Sequence, residues 1–104
     1  IDVNRTSTVG LTALMYSCAR GNVESTKLLL AVPEIDVNIV DKYGQTALHC
    51  AAGGGSYSII KLLLAAPNID IYARNTDGET ARDVAARALA AAARAPRAGR
   101  PGGR

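Results

Sequence analysis

This 104-residue chain contains no tryptophan and no phenylalanine, and its aromatic content is four tyrosines. With so few large rings to fill space, a roomy cavity is not expected, and a chain this short buries a modest share of its surface in any case. Cysteine is scarce as well: Cys18 and Cys50 are too few for a disulfide framework and fit a reducing compartment. No apolar run approaches the ~18 residues that a membrane span requires. The first 15 residues lack the basic stretch and apolar core of a secretory signal. An intracellular location, cytoplasmic or nuclear, is the expectation.

Positive charge is missing from most of the chain despite a net charge of +3. Residues 1–80 carry six basic side chains against eight acidic ones, a balance of −2, whereas residues 81–104 carry six arginines against one aspartate, a balance of +5. A nucleic-acid footprint over the folded part is therefore not supported. Arg94, Arg97, Arg100 and Arg104 lie among Gly and Pro with no aromatic to stack on bases. Contact of this tail with nucleic acid or an anionic membrane is disfavoured against a disordered, solubilising role over residues 96–104.

Histidine occurs once, as His49–Cys50 in "YGQTALHCAAGGG" at 43–55. Residue types alone leave three readings: a Cys–His nucleophile, two metal ligands, or scaffold. Neighbours on a helix point about 100° apart, which argues against nucleophile and base. A structural zinc site takes four ligands, and His49, Cys50 and Cys18 stand in no zinc-type spacing. "GGG" at 53–55 has no Lys-Ser/Thr after it and reads as a turn, not a phosphate loop.

What is abundant is self-similarity. "IDVN" at 1 returns as "IDVN" at 35 and "IDIY" at 69; "GLTAL" at 10 returns as "GQTAL" at 44 and "GETAR" at 78; "KLLLAVP" at 27 returns as "KLLLAAP" at 61. All three landmarks share a spacing of 34 residues, the mark of a repeat architecture. Within each period a glycine (Gly10, Gly44, Gly78) suits a tight turn. Two residues later a threonine (Thr12, Thr46, Thr80) suits a helix N-cap. A short Ala-rich helix then breaks at "RGN" or "GGGS", and a second apolar helix runs up to Pro33 or Pro67. Such helix pairs are too small to fold alone and must stack, which predicts an all-α repeat solenoid.

These residues resemble the ankyrin-repeat family over about residues 1–93. "DKYGQTALHCAAGGGSYSIIKLLLAAPNIDIYAR" follows D-x-x-G-x-T-P-L-H-x-A-A…G…I-V-x-L-L-L…A-D-V-N. Ala13, Ala47 and Ala81 replace the family's proline, Met15 replaces its histidine in the first unit, and Arg82–Asp83 replace Leu-His in the third. The expected organisation is the end of a preceding repeat at 1–6, repeats at 7–40 and 41–74, and a partial capping repeat at 75–95. In the cap, Leu89 stands where a glycine break belongs, so one long helix through about Ala95 is predicted.

The resemblance implies a protein-interaction module with no catalysis and no cofactor, whose histidine is scaffold. It also implies that the partner protein meets the loop tips and the concave side of the first helices. The candidates there are Lys42, Tyr43, Gln45, Asp77 and Glu79 around the turn glycines, and Arg20, Gly53, Gly54 and Arg87 near the ends of the first helices. Tyr43 and Arg20 are the expected anchors, because aromatic and Arg side chains dominate interface hot spots. Gly53–Gly54 is expected to leave a shallow gap between Tyr43 and Arg87. The alternative is a spacer or regulatory segment of a larger protein. In that setting "LAVPEIDVN" at 30–38 resembles the sequence that asparaginyl hydroxylase recognises in such loops, which makes Asn38 a candidate site. An apolar solenoid end would also permit self-association.

Overall fold

The computed structural model describes residues 2–94; Ala95 and the tail arginines Arg97, Arg100 and Arg104 lie outside the described residues. Each 34-residue period begins its helix at a threonine. The Thr12, Thr46 and Thr80 hydroxyls accept the backbone N–H of Met15, Asp83's counterpart His49, and Asp83 itself at 3.2, 3.3 and 3.3 Å, satisfying a donor of the first turn. The helices that follow are α1 (Ala13–Ala19), α3 (Ala47–Gly54) and α5 (Ala81–Arg94). Gly21 and Gly55, at φ 71° and 70°, turn the chain back after the first two. The return helices are α2 (Val23–Leu30) and α4 (Tyr57–Leu64). Among the described residues nothing turns α5 back: it runs through Leu89, which is 73% exposed, to Arg94.

α1, α3 and α5 pack side by side in one layer, and α2 and α4 form the second; the described residues contain no strand. The core joins Leu14, Met15 and Cys18 of α1 to Ala47, Leu48, Ala51 and Ala52 of α3, and to Ile59 and Leu63 of α4. Alanines let α3 approach both neighbours, and each fully buried Ile or Leu contributes about 1.5–3 kcal/mol relative to exposure. The leucine triplet has a direction. In α2, Leu28 is 72% exposed and Leu29 and Leu30 are half-buried, whereas in α4 Leu62 is half-buried, Leu63 fully buried and Leu64 51% exposed. The first two leucines therefore face the preceding layer and the third faces the following one, as an all-α solenoid requires.

Among the described residues, no buried side-chain polar atom lacks a partner. Thr26 donates to the Asn22 carbonyl (2.8 Å), and Ser17, 3.0 Å from both, places its one proton on either the Leu14 carbonyl or the Thr26 hydroxyl. Burial pushes the Cys18 thiol up to about 11 from 9.0 and the Cys50 thiol up to about 12. A thiol whose folded value lies above its unfolded value contributes fully below pH 9. That contribution is lost as pH rises from 9 towards 11 or 12, because the unfolded chain ionises first. At pH 10 each thiol should cost about 1.4 kcal/mol of stability. Urea unfolding of the wild type and of Cys18→Ala/Cys50→Ala, the first of which the repeat itself makes at Ala52, should therefore diverge between pH 8 and 10. Parallel pH dependence in the two proteins would show that the thiols are not the cause.

Candidate functional site

The turns ahead of each first helix are built by one small polar residue per unit, Ser7, Asp41 and Asn75. Asp41 Oδ1 accepts the N–H groups of Tyr43 (2.8 Å) and Gln45 (3.0 Å), and Asn75 Oδ1 accepts those of Asp77 and Glu79 (3.0 Å each). The Ser7 hydroxyl does the same, at greater length, for Val9 (3.4 Å) and Leu11 (3.2 Å). Successive turns are linked by backbone: Lys42 N–H donates to the Val9 carbonyl (3.0 Å) and Thr76 N–H to the Tyr43 carbonyl (2.9 Å). The recurrence of Ser7, Asp41 and Asn75 at 34-residue spacing was available in the sequence as the signal for these turns.

This geometry leaves some predicted side chains outward and occupies others. Lys42 and Tyr43 are exposed at one tip, with the ammonium 5.1 Å from the ring centroid, a cation–π pair. Asp77 is exposed at the next tip. Gln45 is half-buried, and its Oε1 accepts from Asn75 Nδ2 at 3.0 Å, so it ties two turns together. Glu79 and Arg87 meet in a two-pronged ion pair with both contacts at 2.9 Å. Arg87's hydrogen bond holds the Glu79 carboxyl below its ordinary value, and Glu79 in turn raises that of Arg87.

Arg20 and the glycine pair sit differently from the sequence-based picture. A Cβ on Gly54 would stand 3.3 Å from the Ala19 carbonyl of α1, so this position faces the preceding unit, and Arg20, its equivalent, lies on the corresponding side of the first unit. Arg20 packs over the Tyr16 ring (5.4 Å) and lines a recess with Ser25, Leu28 and Leu29 at the first end of the stack. It does not join the row of tips. Gly53 is exposed, but a Cβ there would already touch Val84 at 3.6 Å, so the expected gap beside Arg87 is shallow and bounded by α5.

Asn38 bridges consecutive loops. Its Nδ2 donates to the Asn68 carbonyl (2.7 Å), and its Oδ1 accepts the Asp70 N–H (2.9 Å), just as Asn4 holds Glu34 and Asp36. Asp36 and Asp70 accept backbone N–H groups two residues on, which gives them a loop role. His49 is likewise committed: Nδ1 accepts the Thr46 N–H (3.1 Å) and Nε2 lies 2.8 Å from the Glu79 carbonyl. Among the described residues no group of three His, Cys, Asp or Glu side chains is placed to hold a metal ion, and no helix is long and apolar enough to cross a membrane.

The stacked helix pairs, the threonine caps and the row of linked turns define a repeat solenoid. Residues 1–75 match the family model for ankyrin repeats in three copies, and the chain belongs to that family. No curated protein matches it. Ankyrin repeats are protein–protein interaction modules.

Proposed function

We propose that this chain binds a partner protein through the tips at Lys42–Tyr43 and Asp77, together with the concave side of α1, α3 and α5. The observation that carries the reading is the division of labour at the tips. Backbone bonds and Asp41 or Asn75 hold the turns, so the side chains of Lys42, Tyr43 and Asp77 are not used in linking the turns and are presented at fixed spacing. Tyr43, 56% exposed, is the anchor. Gln45, Glu79, Gly53, Gly54 and Arg87 shape the surface more than they contact the partner, and Arg20 belongs to a separate end face. The proposal includes an intracellular setting, a non-catalytic role, and a basic tail that does not dominate binding.

Cross-linked capture from cell lysate tests this, with Tyr43→Ala/Asp77→Ala and Arg20→Ala as separate variants of confirmed helicity. Proteins lost with the tip variant and kept with Arg20→Ala support the tip row. Capture unchanged by the tip variant would overturn it. The second reading, a regulatory segment modified at Asn38, is favoured by the loop sequence "LAVPEIDVN". The Asn38 bridge must open before an enzyme reaches the side chain. Incubation with asparaginyl hydroxylase followed by mass spectrometry showing no added oxygen at Asn38 would end that reading.

A further inference from the structure

The last described layer of the stack holds one helix and not two. α5 occupies the place that α1 and α3 hold in their layers, but it continues straight past Leu89, and no described helix returns beside α4. The place of that return helix is a groove of about 730 Å³. Its wall includes Ile60 and Leu64 of α4, Ile71 and Arg74 of the loop, and Arg82 of α5. One layer earlier the equivalent wall positions are covered. Val37 is 6% exposed against 40% for Ile71, and Thr26 is fully buried where Ile60 is half-buried.

The molecule itself shows what fits such a groove. The earlier one is filled by α4, which packs on both α2 and α3 and places Ile59 and Leu63, four residues apart, at zero exposure. The rim adds a charge requirement. Arg74, whose guanidinium donates to the Gly78 carbonyl (2.7 Å), and Arg82 form no ion pair among the described residues, and with a single carboxylate beside them, Asp83, which accepts the Thr80 N–H at 3.0 Å, the rim keeps a net positive charge. No described helix matches that rim. α1, α3 and α4 contain no acidic residue, Glu24 of α2 is paired with Lys27 (3.7 Å), and Asp83 is the one acid of α5. The segment 95–104 contains no Leu, Ile or Val with which to form an apolar i, i+4 pair.

We propose that this groove receives an amphipathic helix from another protein, bearing Ile or Leu at positions i and i+4 and acidic residues beside Arg74 and Arg82. It enters by the helix-in-groove mode. This surface is distinct from the tip row. The probe is a fluorescein-labelled peptide of residues 56–67 carrying Ser58→Glu, Lys61→Glu and Ala65→Glu, exposed positions of α4 and, for Ala65, of its C-cap. Anisotropy titration against the full chain should show saturable binding that weakens with salt. Leu64→Glu or Ile71→Glu, both at partly exposed positions, should weaken it by about tenfold or more, because each places a charge against the entering apolar pair. Leu28→Glu at the opposite end and Tyr43→Ala at the tips should leave it unchanged. Absence of saturable binding, or equal binding by the Leu64→Glu and Ile71→Glu variants with native helicity, would overturn the proposal. A chain dimer in sedimentation that Leu64→Glu dissolves would also overturn it, by assigning the groove to a second copy.

Discussion

Gly44→Ala should destabilise the chain by about 3 kcal/mol, while Gly78→Ala, the same substitution at the equivalent position of the next unit, should cost about 1 kcal/mol. Both glycines hold positive φ, at 73° and 77°, so the conformational penalty is shared. The surroundings are not. A Cβ on Gly44 would stand 3.0 Å from the Asn75 Cα and 3.2 Å from the Thr76 nitrogen, whereas one on Gly78 would meet nothing within 4 Å. The obstructing atoms are backbone, beside the Thr76-to-Tyr43 hydrogen bond that links the turns, so no side chain can swing away to relieve the contact. Gly10, with a Cβ position 2.8 Å from the Asp41 Cα, should behave like Gly44. For a domain of this size each kcal/mol moves the midpoint by about 4–8 °C, so thermal melts should separate Gly44→Ala from Gly78→Ala by about 8–16 °C. Equal melting points would mean that the turns slide apart at no cost and that their stacking contributes little.

The same triplet of glycines shows what the sequence could and could not convey. The 34-residue period, the threonine caps, the return turns and the long last helix all rest on local rules, and local rules are written in local residues. Which side of a position faces a neighbour is a property of the stack, and one unit read alone does not contain it. Arg20 and Gly54 illustrate this: both lie near a helix end and look equally exposed in sequence, yet in the stack Gly54 closes on the Ala19 carbonyl of the preceding unit while its equivalent Arg20 packs over Tyr16 on the end face. Gln45, Glu79 and Arg87 were legible as variable positions, which shows freedom from the repeat's scaffold. Their hydrogen bonds to Asn75 and to each other depend on side chains brought together across turns, 30 and 8 residues apart. The empty place beside α4 was legible in part, since Leu89 in place of glycine announces a helix that does not return.

His49→Ala should cost about 2–4 kcal/mol, and His49→Met roughly half as much. The imidazole is 2% exposed and has partners that fix its tautomer. The Thr46 N–H can only donate, so Nδ1 accepts, and the Glu79 carbonyl can only accept, so the proton sits on Nε2. Alanine would remove the ring, leave the Thr46 N–H without its acceptor and leave the Glu79 carbonyl with the Asn75 N–H (2.9 Å) alone, while also opening a cavity where the ring had been. Methionine refills most of the volume but restores neither hydrogen bond. The chain already contains that experiment: Met15, 1% exposed, holds the equivalent position in α1. There the link to the following turn is made without an imidazole, by backbone and by the packing of α1 on α3. Comparing His49→Ala with His49→Met in urea therefore separates filling from bridging. If the two cost the same, the hydrogen bonds carry the stability and the volume matters little. If His49→Met is neutral, α5 is held by apolar packing alone, and the histidine serves only to orient the turn that presents Asp77.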